Sequence, residues 1–371
     1  MQEKKMQRAE SIRFRERKVR ELMVDKKRLV EVPYTASLAH TMNVLVANKV
    51  LAVPVAAPPG QWIGAGGSMI MESDKQTGAV RKHYIGMVTM LDIVAHIAGD
   101  DDGGRLNGGD GTEDLHQRMS VPVSSIIGHC FEGLSLWTLN PNTSVIESME
   151  VLSKGVHRVL VPVESQMENE GQVGVELVES ASSYRMLTQM DVLRFMKEHS
   201  QDYELERVFS LSLQQLGAIN HDVYAITDRT KLIDAIKCLK TSMFNAVPIV
   251  TWSDSQDQHL IHGRGRKLIG TFSATDLRGC YVATLKSWLG MSALAFTQEV
   301  GTSALYSPNN AATWTRELVT CQADSPLSEV IEKAVSKHVH RVWVVDRDGL
   351  LLGLVSLTDV IRVLRHSLAS D

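Results

Sequence analysis

Four times along the chain an apolar, strand-like run ends on Ser or Thr, and an Asp follows three residues later. The copies are Ile85-Gly86-Met87-Val88-Thr89-Met90-Leu91-Asp92, Met186-Leu187-Thr188-Gln189-Met190-Asp191, Leu268-Ile269-Gly270-Thr271-Phe272-Ser273-Ala274-Thr275-Asp276 and Leu352-Gly353-Leu354-Val355-Ser356-Leu357-Thr358-Asp359. An apolar helical pattern follows each Asp, as in Val192, Leu193, Phe195 and Met196. Internal repetition of this kind limits the chain to architectures assembled from one small unit used four times.

A second unit recurs upstream of each copy: an amphipathic helix, then a short apolar strand. In the fourth copy Leu327, Val330, Ile331 and Ala334 fall at i, i+3, i+4 and i+7, one face of a helix, before Val342-Trp343-Val344-Val345. Ser325-Pro326 predicts an N-cap followed by a proline at the first helical position. Leu38, Met42 and Leu45 precede Ala52-Val53-Pro54-Val55, and Val145, Met149 and Leu152 precede Val159-Leu160-Val161-Pro162-Val163. Leu232, Ile236 and Leu239 precede Ala246-Val247-Pro248-Ile249-Val250. The connections vary. Pro58 to Lys82 is a Gly-containing insertion, Asp100 to Asp114 reads as an acidic, disordered linker, and Gln166 to Ser183 and Ser253 to Arg266 read as surface hairpins.

Each unit resembles a CBS repeat, the β-α-β-β-α module that takes adenine nucleotides in tandem pairs. Four units carrying Val156-His157-Arg158-Val159 and Val339-His340-Arg341-Val342 resemble the gamma regulatory subunits of AMP-activated and SNF1-related kinases, in particular the plant gamma-like class. The resemblance covers about residues 20 to 369. It implies a mixed α/β (α+β) fold of four CBS repeats, arranged as two tandem pairs in a flat disk around a central channel. It also implies nucleotides between paired repeats, phosphates toward the middle and the Ser/Thr-x-x-Asp carboxylates on ribose. The corresponding domains are a basic N-terminal segment 1–19, repeat 1 at 20–99, an acidic linker 100–118, and repeats at 119–200, 201–288 and 289–371.

The residues support two chemistries. A carboxylate at a strand-to-helix junction can accept from a ribose diol, and the free helix N–H groups there suit an anion. The same spacing also makes a capping box, with Thr89, Thr188 or Ser273 capping the helix and Asp92, Asp191 or Asp276 reaching back. With the resemblance, Asp191 and Asp359, beside Ser356 and Thr358, become the ribose candidates. His157-Arg158 and His340-Arg341 offer a guanidinium fork and a neighbouring donor, which match phosphate oxygens. A surface Arg with an acidic neighbour and a packed His would look the same in isolation. The family's basic position is expected at Leu51 in the first unit and Asn245 in the third, neither of which neutralises phosphate.

Other features carry less. Gly60 to Ser68 lacks the Lys of a phosphate-binding loop, and His262 to Lys267 reads as a basic hairpin tip. His338 and His340 lack the further ligands of a metal site. There is no kinase catalytic loop, nucleophile–base pair or carboxylate dyad, so no catalytic cofactor and no enzyme activity are expected. Lys4 to Arg28 reads as a solvated basic helix leading into the first unit, or else a docking element. A net charge of −4 on 371 residues points to neither nucleic acid nor a membrane surface, and no apolar run is long enough to span a bilayer. The polar, basic N-terminus is not a secretory signal, and four scattered cysteines without a CxxC pair read as reduced thiols. Both features point to an intracellular protein, cytoplasmic and/or nuclear. The expected ligands are AMP, ADP or ATP, and the expected partners are the catalytic and scaffold subunits of a SNF1-related kinase. The alternatives are a free-standing adenosine-ligand sensor and a scaffold with decayed sites.

Overall fold

The computed structural model describes residues 14–57, 84–99, 111–130, 136–162, 184–252, 260–302 and 317–369. The insertions expected at Pro58 to Lys82 and Gln166 to Ser183, with Gly60 to Ser68, lie outside them.

Each unit has one plan, clearest in the fourth. A short strand, Thr320–Cys321, pairs in parallel with Arg341–Val345, which pairs antiparallel with Leu351–Ser356. The helix Leu327–Ser336 crosses between the first two strands and buries the predicted stripe Leu327, Val330, Ile331 and Ala334. Burying side chains of this size contributes about 1.5–3 kcal/mol each for the larger ones. A second helix, Leu357–Ala369, leaves the last strand directly. The other three units follow the order with central strands Ala52–Ala56, Arg158–Pro162 and Ala246–Val250; the third adds a strand, Ile261–His262, and leaves its last strand through a 3-10 helix, Ala274–Gly279.

The units associate in two ways. Helices of the first and third share one apolar core containing Leu38, Ile93, Ile236 and Phe296. Helices of the second and fourth share another, containing Met149, Leu193, Val330 and Leu364. Sheets join the tandem neighbours: Val223, Leu268, Trp343 and Leu351 pack between the third and fourth units, and Tyr84 meets Tyr184 edge-on, centroids 6.2 Å apart, between the first and second. The result is the two-pair arrangement, closed around a central cavity. Gly353 marks one close approach: a Cβ there would stand 2.6 Å from the Asn220 carbonyl oxygen, where Asn220 and Leu354 exchange backbone hydrogen bonds.

Four expectations are corrected. Of the expected linker, residues 100–110 lie outside the described residues, and the rest is helical: the helix Gly111–Ser120 buries Met119 and packs Leu115 on the first core, and Arg118 donates to the Ile97 carbonyl (3.2 Å). Ser325 does not cap its helix. Pro326, extended at ψ 151°, is the N-cap, and the Ser325 hydroxyl accepts from the Gln322 N–H instead (3.1 Å). Of the basic stretch Lys4 to Arg28, residues 4–13 lie outside the described residues, and the rest is no solvated helix leading into the first unit. Residues 14–23 form short 3-10 turns that bury Phe14, Val19 and Met23 in the core of the second and fourth units, held by Val19 N–H to Thr143 O and Val145 N–H to Arg17 O (both 2.9 Å). Its apolar residues are spaced to reach a core that its charges conceal. The segment His262 to Lys267 is not a free tip: Gly265 N–H donates to Leu351 O (2.7 Å) and Lys267 bridges to Leu350, stitching the third sheet to the fourth.

Candidate functional site

The four helices that precede the central strands end alike. A residue with left-handed backbone closes each: Lys49 (φ 54°), Gly155 (φ 91°), Met243 (φ 56°) and His338 (φ 52°). Such a residue redirects the chain after a helix and satisfies its last carbonyls. Val50, Phe244 and Val339 N–H then reach back to Leu45, Leu239 and Ala334 O (3.1, 2.9 and 3.1 Å). Two residues beyond each turn stand Leu51, His157, Asn245 and His340, all of which line one cavity.

The strand register fixes which residues are equivalent. Ala52 pairs with Thr89, Arg158 with Thr188, Ala246 with Ser273 and Arg341 with Ser356. The position of the two arginines is therefore held by Ala52 and Ala246, and Leu51 and Asn245 stand where the histidines are. This corrects the sequence alignment by one residue and strengthens its consequence. The first and third units lack the cation as well as the imidazole.

These strand starts converge on a cavity of about 700 Å³. His157, Arg158, Thr188, Asp191, His340, Arg341, Ser356 and Thr358 all line it. Eight of its lining residues are Lys or Arg and four are carboxylates, so its field favours an anion. Burial pushes the His157 imidazole down to about 4, with Arg341 adding to the effect. Burial, then Arg158, His157 and further arginines, push His340 down to about 3. Both rings are neutral at pH 7. The Asn245 amide NH2 lies 3.2 Å from His157 Nδ1; donating there, it leaves the His157 proton on Nε2. Burial lowers Arg158 and Arg341 to about 10, opposed by Asp92 and Asp359 respectively, so both stay charged. Arg341 Nη1 donates to the Ala246 carbonyl (2.8 Å), while its buried Nε has no hydrogen-bond partner among the described residues.

A second cavity, about 420 Å³, lies between the third and fourth units. Ile269, Leu294, Leu318, Val339 and Trp343 give it apolar walls. Thr271, Ser273 and Thr275 supply hydroxyls, and the Trp343 indole N–H donates to Thr271 Oγ1 (2.7 Å). His340 and Arg341 line both cavities, so an apolar slot ends on a cationic chamber. Asn245, Thr297, Gln298 and Glu317 complete its polar lining, and a slot of this size with apolar walls and several polar groups suits a small aromatic ligand that also hydrogen-bonds.

The four aspartates divide. All four take part in a capping box: Thr89, Thr188, Ser273 and Ser356 N–H donate to Asp92, Asp191, Asp276 and Asp359 (2.7, 2.8, 2.8 and 3.0 Å). Asp92 is wholly buried, with its other oxygen accepting from Cys130 N–H (3.1 Å), and burial raises its pKa. Asp276 is also interior. Asp191 and Asp359 are more open, near Arg194 (3.8 Å) and Arg362 (3.0 Å) respectively. Thr89 borders a small neighbouring void, and Ser273 borders both that void and the second cavity.

Sequence reasoning missed six contributors. Lys26, Lys27 and Arg28 bring cations from the N-terminal segment to the central cavity, where Lys26 pairs with Asp191. Arg194 and Arg278 add charge from the second helices. Gln189, buried, donates to Leu152 O and Thr358 Oγ1 (both 2.9 Å), tying the second unit to the fourth. The run Lys26-Lys27-Arg28 was visible, but nothing local placed it. Among the described residues no cluster could hold a metal ion, and no helix is long and apolar enough to cross a membrane.

Comparison with known proteins agrees with the four-unit architecture. Residues 315–366, the fourth unit, match the CBS domain model. The chain is 58% identical over 354 residues to the SNF1-related protein kinase regulatory subunit gamma-like PV42a of Arabidopsis thaliana, covering 94% of this chain and 95% of that protein. It is 55% identical to gamma-like PV42b of the same plant, covering 95% and 96%. A crystal structure from Methanocaldococcus jannaschii, described as a putative archaeal homolog of g-AMPK, shares the fold at TM-score 0.56 and 18% identity, covering 93% of this chain and 99% of that one. With its four units, its two His-Arg pairs and this identity over nearly full length, the chain belongs to the CBS-repeat family of plant SNF1-related protein kinase regulatory subunit gamma-like proteins.

Proposed function

We propose that the chain is a non-catalytic regulatory subunit of a SNF1-related kinase complex, and that it reads an adenine nucleotide in the cleft between its third and fourth units. One observation carries the ligand reading. Arg341 stands at the junction of an apolar slot and a cationic chamber, with a buried Nε donor that has no hydrogen-bond partner among the described residues. A base would occupy the slot, and its phosphates would meet the guanidinium. Buried, unspent donors cost free energy until a ligand satisfies them, so an anion at this point gains more than one in water. The neutral His340 can add a hydrogen bond without adding charge.

Regulation follows if the ligand binds one arrangement of the four units more tightly than another. Its span across two units makes it sensitive to their relative position. Calorimetry with AMP, ADP, ATP and S-adenosylmethionine tests the ligand. No heat and no thermal shift with any of the four would leave a scaffold with decayed sites. Affinity purification of the tagged chain tests the complex. Recovery of neither a kinase catalytic subunit nor a scaffold subunit would contradict the assignment. It would favour a free-standing sensor, the reading that Ala52 and Ala246 support by halving the arginine set.

A further inference from the structure

The N-terminal segment has anchors at both ends and charge between them. Phe14, Val19 and Met23 are sunk in the core of the second and fourth units, and Val32 in that of the first and third. Residues 26–30 between them form part of the central cavity's wall. In that stretch the Lys26 ammonium pairs with Asp191, both side chains being largely enclosed, 25% and 10% exposed. The Lys26 carbonyl accepts from Arg185 Nε (3.0 Å), which fixes the backbone at the same residue. Asp191 Oδ2 already accepts from Thr188 N–H and Oγ1 (2.8 and 2.6 Å), and Lys26 approaches that same oxygen.

We propose that Asp191 is the tether of this N-terminal strap and that Lys26 thereby closes the second unit's carboxylate to a ribose diol. The Asp191 site then differs from the third–fourth cleft. The cleft admits a base, whereas at Asp191 the chain supplies its own cation. Lys26 acts as a specificity-determining residue: it leaves the cavity open to phosphate and neutralises the carboxylate that a nucleoside would need, while Arg194 stands by the other oxygen, Oδ1 (3.8 Å). Displacing it would leave a partly enclosed ammonium unpaired, which disfavours exchange for a neutral diol. The choice of a nucleoside as the excluded class rests on the functional reading above, but the tether does not.

Two measurements on the full chain decide it. Asp191→Asn keeps the capping oxygen and removes the charge. Hydrogen exchange across residues 24–31 should quicken about fivefold, the effect of losing a pair worth about 1 kcal/mol, with the helix Val145–Leu152 unchanged. Unaltered exchange at 24–31 would overturn the tether. Calorimetry with adenosine should show one additional equivalent bound by Lys26→Ala than by the wild type, and none added by Lys26→Arg, which retains the cation. Equal stoichiometry in Lys26→Ala and wild type would overturn the closure. If the wild type binds no adenine compound at the third–fourth cleft, the functional reading fails, while the exchange result still judges the strap.

Discussion

The first and third units share one core and the second and fourth another, and the two pairs are built to one plan with different chemistry at its centre. Every unit keeps the Ser/Thr-x-x-Asp box, the left-handed turn and the helix stripe. Only the second and fourth keep His and Arg at the strand start; the first has Leu51-Ala52 and the third Asn245-Ala246. All four share the elements of the fold, and two of them alone bring His and Arg to the cavity wall. The recurring Asp is therefore first a capping residue, and the unevenly distributed Arg is the better marker of function.

The sharpest way to break that contrast is to remove the shared Asp from each class. Asp92 accepts from Thr89 and Cys130 in the interior. Asp92→Ala leaves buried N–H donors unmet and should cost about 3 kcal/mol or more in denaturant unfolding. Asp359→Ala, at a more open box, should cost about 1 kcal/mol. Equal losses would mean the boxes are not differentiated by burial.

The histidines give the next effect. Burial holds His157 and His340 neutral, down to about 4 and 3 from 6.5. Below pH 6.5 the unfolded chain takes up protons that the folded chain refuses. Stability is thus full above pH 6.5 and falls with acid toward pH 4, by about 1 kcal/mol per pH unit for each ring. Unfolding midpoints of wild type and His157→Gln/His340→Gln, compared from pH 7 to 4.5, should show a flatter profile in the variant. Parallel profiles would place the acid sensitivity elsewhere, outside this pair of units.

The smallest effect tests the shared turn. Gly155 adopts its left-handed backbone without strain, whereas Met243 does so with a side chain that is 58% exposed. Met243→Gly should stabilise by about 0.5 kcal/mol and Gly155→Ala should destabilise by about 1 kcal/mol, read from thermal unfolding. The same sign at both positions would show that the turns are not equivalent.

Much of the fold was legible because each unit announces itself locally. The stripe Leu327, Val330, Ile331 and Ala334 and the Ser356–Asp359 box need only periodicity and spacing. Of the candidate site, the part legible in the sequence is local: His157-Arg158 and His340-Arg341, which line the cavity. It was not legible where tertiary structure assembles it. Lys26 reaches Asp191 from across the sequence, Gln189 meets Thr358 between units, and the Arg position in the first and third units emerged only from strand register. Phe14, Val19 and Met23 were hidden among charges, and no local rule tells a solvated basic segment from one anchored by three apolar side chains.

The central claim is that phosphate recognition resides in the arginines of the second and fourth units. Calorimetric titration of AMP against adenosine, in wild type and in Arg341→Gln, measures it most directly. The account predicts that wild type prefers AMP by about tenfold or more, the worth of one charge-assisted contact, and that Arg341→Gln binds the two alike. An AMP preference that survives Arg341→Gln undiminished would contradict it.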